Sequence, residues 1–207
     1  MDSGPTPRTL ARQPRQQRAQ DRFERILVAA RELLREQGLA GFSIPELAER
    51  LEYPRATVYK FFPTPYAVLN ELLKRDLHAL EEQLYRRVRR LVGKPWQDTV
   101  RAYVGAAARF YDANPVARLL ILGGPATSEG HRALEMTIQH LGGLARGLMV
   151  AAGAKLPPRI DIAALAIEIG TAAFRLSYFL HGEITREYRA EAADAMIAYL
   201  ARYAPDS

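Results

Sequence analysis

Three features of the sequence predict an all-α protein made of an amino-terminal helical unit and a larger carboxy-terminal one. Apolar residues recur at three- and four-residue intervals through most of the chain from Asp21 to Tyr203, the repeat of helices buried along one face. Prolines and capping residues stand where such helices should begin, and Gly38 where the first should end. No convincing strand pattern and no internal repeat appears.

Residues 1–20 are rich in Pro, Arg and Gln and poor in apolar side chains, which predicts a disordered basic arm. Arg8, Arg12, Arg15 and Arg18 suit either contact with a nucleic-acid backbone or simple solubilisation. From Asp21 to Gln37, Phe23, Ile26, Leu27, Ala30, Leu33 and Leu34 mark one face of a helix, and Gly38 is its natural C′ residue.

Phe42 to Phe62 then reads as two short helices around a sharp turn. Ser43 with Glu46 has capping-box spacing, Phe42 with Leu47 has staple spacing, and Pro45 falls in the first turn. Ile44, Leu47, Ala48 and Leu51 form the inner face of the first helix. Val58 and Phe62 anchor the second, which runs from about Pro54 to Phe61. A tight helical corner and a DNA-reading helix-turn-helix share this packing. The turn position that commonly holds glycine holds Glu52, so a left-handed residue there costs on the order of 1 kcal/mol.

Arg55, Ala56, Thr57, Tyr59 and Lys60 are left on the outer face of the second helix. Arginine pairs bidentately with guanine, the threonine methyl meets thymine, and Tyr and Lys reach phosphate oxygens. Ala56 leaves room for base edges to approach. The charge distribution agrees. Of the net +6, residues 1–93 hold 17 Lys/Arg against 12 Asp/Glu, whereas residues 94–207 hold 12 against 11. An anionic partner is therefore expected for the first part only.

The run Thr57-Val58-Tyr59-Lys60-Phe61-Phe62-Pro63-Thr64, some twenty residues after Gly38, resembles the DNA-binding domain of the TetR family of transcriptional regulators. The preceding ILVAARELLREQGLAGFSIPELAERL is similar to that family's first two helices, and the resemblance spans roughly residues 20 to 75. Glu52 in place of the turn glycine departs from the family pattern. So does Pro65, where a phosphate-binding lysine is frequent. The resemblance implies a three-helix DNA-binding domain at 21–64, a connecting helix at 65–92, and a helical ligand-binding and dimerisation domain at 93–207. In that frame Arg55, Ala56 and Thr57 face bases, while Ser43, Tyr59 and Lys60 position the duplex backbone.

Thr64 and Pro65 open the connecting helix, whose stripe Leu69, Leu73, Leu77, Leu80, Leu84 and Leu91 is long enough to bridge two units. Gly93-Lys94-Pro95 marks the next boundary. Beyond it the pattern predicts helices at Trp96–Ala113, Pro115–Leu122, Glu129–Ala152, Ile160–His181 and from Thr185 to about Tyr203. In the fourth of these, Ala163, Ala166, Gly170, Ala173 and Ser177 form a small-residue stripe. The last offers Tyr188, Ala192, Ala195, Tyr199 and Tyr203. These stripes are read as a homodimer interface, as the resemblance implies and as suits a two-fold protein reading two half-sites; ordinary intrachain packing, which needs the same stripes, is the alternative. The opposite stripe carries Glu168, Thr171, Arg175 and Tyr178. With Tyr103, Phe110, Met136 and His140 it supplies candidate walls for a small-molecule effector pocket, or else a face that pairs internally or meets solvent.

Other chemistries find little footing. Without cysteine there is no disulfide, thiolate metal site or cysteine nucleophile, which fits a reducing cytoplasm. The histidines lack HExxH spacing, and neither a GxSxG elbow nor a GxxxxGK[ST] loop occurs, so neither enzyme activity nor a cofactor is expected. The arginine-rich start lacks the apolar segment of a secretory signal. The apolar run Ile162–Leu180 contains Glu168 and Arg175, as suits a buried helix rather than a membrane span. The sequence thus predicts a cytoplasmic, ligand-responsive regulator of double-stranded operator DNA, most simply a repressor. A helical binding or scaffold protein without specific DNA binding is the alternative.

Overall fold

The computed structural model describes residues 9–14, 16–91, 94–151 and 153–203. Among them the chain is all-α. The helices are α1 (Gln17–Gln37), α2 (Ile44–Arg50), α3 (Arg55–Phe61), α4 (Pro65–Arg89), α5 (Trp96–Ala113), α6 (Pro115–Leu122), α7 (Ser128–Ala151), α8 (Ile162–His181) and α9 (Arg186–Leu200).

The helix ends follow local chemistry. Ser43 Oγ accepts the Glu46 N–H at 3.2 Å, Thr64 Oγ1 the Ala67 N–H at 3.3 Å, and Asp161 Oδ1 the Ala164 N–H at 3.0 Å. Each satisfies one of the N–H groups that a first helical turn leaves unpaired. Gly38 (φ 66°) ends α1 and Gly182 (φ 72°) ends α8, both with the positive φ that glycine adopts without a Cβ penalty.

The spine is α4, about 37 Å long at 1.5 Å per residue. It packs on α1 at the amino-terminal side and on α5, α6 and α7 at the other, while α8 packs between α7 and α9. Its buried face includes Leu69, Leu73, Leu77, Leu80 and Leu84, as the leucine spacing predicts. Two buried polar groups on it bind other elements. Asp76 takes two hydrogen bonds from Arg31 of α1, at 2.5 and 3.1 Å. Asn70 donates to the Thr9 carbonyl (3.0 Å) and accepts from Thr127 Oγ1 (2.8 Å). Thr127 Oγ1 in turn accepts the Gly130 N–H at the start of α7.

That arrangement corrects the expectation of a disordered arm through residue 20. The helix already begins at Gln17. Residues 9–13 lie against α3 and α4, where the Arg12 N–H donates to the Phe61 carbonyl (2.8 Å) and Gln13 to Glu71 (3.1 Å). Polar composition hid these contacts because the partners are backbone and polar groups. Arg8, Arg15 and Gly93 lie outside the described residues.

Candidate nucleic-acid interface and effector cavity

The α2–α3 corner is built on aromatic packing. Phe62 is fully buried and stacks on Phe23 of α1 (4.7 Å between centroids, 25°), while Phe61 meets Phe23 edge-on at 5.9 Å. Ile44, Leu47, Ala48 and Val58 are buried beside them. The turn between the helices is closed by the Tyr53 N–H, which reaches the Ala48 carbonyl at 2.9 Å. Glu52 bends the chain with φ 54°, the sole non-glycine residue among those described with positive φ. The left-handed position expected there is present without its glycine.

With Val58, Phe61 and Phe62 turned inward, Arg55, Ala56, Tyr59 and Lys60 are exposed, and Thr57 and Ser43 are half-buried. The cations nearby are treated differently. Arg31, Arg50 and Arg75 each pair with carboxylates of neighbouring helices, Asp76, Glu36 and Glu24 respectively. Arg55 and Lys60 have no such partner among the described residues. Their charge is directed at solvent, so the outward face of α3 keeps its positive potential for an external anion.

At the opposite end of α4 lies a cavity of about 430 Å³, within the range of small-molecule pockets. Val88 of α4 and Leu91 just beyond its end close it on one side, Trp96, Thr99 and Tyr103 of α5 on another, and residues of α7, α8 and α9 complete it. A narrower space of about 40 Å³ continues past Tyr103, Ile167 and Met196 toward Thr171. Burial pushes the phenols of Tyr103 and Tyr111 well above their ordinary range, so both are neutral hydrogen-bonding groups. Among the described residues no group of three or more His, Asp or Glu side chains is placed to hold a metal ion.

Of the pocket walls expected from sequence, Tyr103 lines both spaces and Thr171 the narrow one. The others fall elsewhere. Phe110 is buried in the core, edge-on to Tyr111 at 5.7 Å. Met136 is 63% exposed, and His140 is at the surface, held by Glu81. Glu168 and Arg175 face outward and approach each other at 4.0 Å. Tyr178 is half-buried beneath the Arg118 guanidinium at 5.6 Å.

The cause is the rotation of α8. Its stripe of small residues, expected at a dimer interface, is turned into the chain. Ala163 and Ala166 are buried and line the cavity, and Gly170 sits so close to α9 that an added Cβ would lie 2.6 Å from Met196 Sδ. The opposite face is therefore outward, with Leu165, Leu176, Phe179 (87% exposed) and Leu180 bare alongside the Glu168–Arg175 pair. By length and composition α8 could cross a membrane. Its packing between α7 and α9 is that of a helix inside a folded domain. Of the cavity residues missed in the sequence, Lys94, Trp96, Thr99 and Met149 among them, Trp96 is the most distinctive. Its signal was its place, a lone tryptophan in the first turn after Gly93-Lys94-Pro95.

Residues 26–72 match the family model described as bacterial regulatory proteins, tetR family. No curated protein matches the chain. Among solved structures, a TetR-family transcriptional regulator from Streptomyces coelicolor is similar at TM-score 0.68 and 23% identity, over 88% of this chain and 99% of that one. A TetR-family regulator from Syntrophomonas wolfei is similar at TM-score 0.66 and 16% identity, over 87% and 96%. Another from Mesorhizobium loti gives 0.60 and 15%, over 91% and 100%. At these identities the structures speak for the fold, and the match at 26–72 speaks for the domain that contains α2 and α3. Residues 26–72 thus match a tetR-family regulatory domain, and the chain as a whole shares the fold of these TetR-family regulators.

Proposed function

We propose that the protein is a homodimeric repressor that releases operator DNA in the cytoplasm when a small molecule fills the cavity. The observation that carries this reading is the pairing of two ends on one helix. At the start of α4 stands a reading helix with Arg55 and Lys60 exposed and without an ion pair among the described residues, and at its end stands a largely apolar cavity. Arg55, Ala56 and Thr57 face base edges in the major groove, and Ser43, Tyr59 and Lys60 hold the phosphates.

A second copy docks on the bare face of α8, since Leu165, Leu176, Phe179 and Leu180 form the apolar stripe that two-fold pairing of such helices buries. The dimer sets its two reading helices about 34–36 Å apart or a multiple of that, one per half-site. A ligand wedged between the end of α4, at Val88 and the following Leu91, and the helices behind it shifts α4, and with it the spacing of the reading helices. It can change operator affinity only by its differential affinity for the two arrangements.

The test is a titration of promoter-region duplex with the purified protein across a salt series. Affinity that falls steeply with salt supports the reading, because displaced counterions drive such binding. Absent or salt-independent binding would overturn it. Sedimentation of Phe179→Glu, expected to be monomeric and weak on DNA, tests the dimer; a variant that stays dimeric would place the interface elsewhere.

A further inference from the structure

The cavity is not uniformly apolar, and its polar groups are gathered at one end. The walls contributed by α4, α7, α8 and α9 are aliphatic or thioether side chains, such as Val88, Met149, Ile167 and Leu200. The polar lining, Lys94, Trp96, Thr99 and Tyr103, comes from the segment that opens α5. Trp96 Nε1 is shielded from solvent and has no hydrogen-bond partner among the described residues. A buried donor left unpaired carries the full cost of its lost hydration, so an acceptor that reached it would be bound with corresponding gain. Two residues earlier, Lys94 also lines the cavity, remains exposed, and holds no ion pair among the described residues. No lining residue is acidic.

We propose that the cavity takes an elongated apolar molecule ending in a carboxylate. The carboxylate sits beside the Lys94 ammonium and accepts from Trp96 Nε1. The apolar body lies along Ile167 and Met196, with the narrow space past Tyr103 receiving its far end. One cation and one orphan donor match a monoanion, and a multiply charged phosphate would leave most of its charge uncompensated among aliphatic walls. This inference rests on the reading of the cavity as the effector site and names the class of effector.

The chain has a single tryptophan, so its fluorescence reports directly on Trp96. The full-length protein is titrated with decanoate, decan-1-ol and decyltrimethylammonium below their micelle concentrations. Decanoate should give a saturable emission change with a Kd at least tenfold below that of the alcohol, and the cation should bind most weakly. Lys94→Gln, a surface change that leaves the fold intact, should raise the decanoate Kd about tenfold and leave that of decanol unchanged. Trp96→Phe, followed by ligand-induced rise in melting temperature, should weaken decanoate several-fold.

Equal affinity for acid and alcohol in the wild type, no saturable response to decanoate, or a Lys94→Gln variant that binds decanoate normally would each overturn the proposal. Salt-dependent DNA binding measured on the same preparation keeps the two readings apart. DNA bound without decanoate affinity sinks the ligand class alone. Decanoate bound tightly by a protein that holds no DNA sinks the regulator.

Discussion

The two halves of the molecule are packed by opposite means. The reading head is held by large aromatic side chains, with Phe23, Phe61 and Phe62 filling the space beneath a seven-residue helix. The regulatory half brings helices together by removing side chains. Gly142 of α7 sits where a Cβ would meet the Ala164 backbone nitrogen at 2.9 Å, and Gly170 of α8 lies against Met196. The aromatic packing sets where α3 sits on α1. Helices in contact through glycine and alanine leave gaps wherever larger residues interrupt them, and the cavity is such a gap. One half fixes the position of a short helix, and the other leaves a space between its helices.

The contrast can be broken most severely at Phe62. Phe62→Ala empties a fully buried site and should cost about 3–5 kcal/mol. The loss should appear first as loss of DNA binding, while the regulatory half keeps its helical signal in circular dichroism. A variant that still binds DNA with unchanged affinity would show that the aromatic stack is not what holds α3. In the other half the largest effect should come from adding atoms. Gly142→Ala forces a methyl into the α8 backbone and should cost about 1–3 kcal/mol in urea unfolding. Gly143→Ala, one residue along with nothing within 4 Å, is the control and should be neutral or slightly stabilising.

The surface of α3 sharpens the comparison, since there substitutions change function and leave the packing alone. Arg55→Ala should lower discrimination between operator and mismatched duplex by about 1–3 kcal/mol. Lys60→Ala should weaken every sequence alike and reduce the salt slope by about one. If the two variants lose the same amount on all sequences, the division between base and backbone contacts is wrong. Glu52→Gly should be a small gain of about 0.5–1 kcal/mol in thermal unfolding. It relieves the left-handed cost at φ 54°, part of which the greater freedom of glycine in the unfolded chain takes back.

The smallest effect distinguishes two carboxylates facing α1–α4 arginines. Burial holds the Asp76 carboxyl above its ordinary value in spite of the hydrogen bond from Arg31. The hydrogen bond from Arg75 holds Glu24 below its own. For Asp76 the folded chain keeps the proton longer than the unfolded one. Its contribution to stability is greatest below the unfolded pKa and falls as pH rises through the folded one. Glu24 runs the other way, contributing above its unfolded pKa and losing that contribution as pH falls. Melting curves from about pH 3 to 6 should therefore show Asp76→Asn gaining on the wild type as pH rises, and Glu24→Gln losing ground. Parallel curves for both would mean that neither pair differs from solvent in its effect on protonation.

The reading head was legible almost residue by residue. Ser43, Glu52, Val58, Phe62 and Thr64 do what their spacing predicted, because capping, turn chirality and aromatic burial each involve neighbours only a few positions away. The regulatory half was legible in its helices but not in which face each turns inward. On α8 the stripe headed by Glu168 and Arg175 suits a pocket wall, an internal pairing or a solvent face by sequence, and that pair lies at the surface. The alanine–glycine stripe, expected at a dimer interface, is turned inward instead, with Ala163 and Ala166 against the cavity. Alanine and glycine gain little by burial, so a stripe of them marks close approach without saying which helix approaches.

What the sequence determined alone was the order of helices, the starts of α2, α4, α5 and α6, and the outward set on α3, all of which follow from backbone capping and from side chains too apolar to leave in water. What the tertiary structure alone decided was the rotation of α8, the docking of residues 9–13 on α3 and α4, and the gathering of Lys94, Trp96 and Tyr103 around one space. These depend on which distant surfaces fit one another, and fit between surfaces far apart in the chain is not written in the period of any single helix.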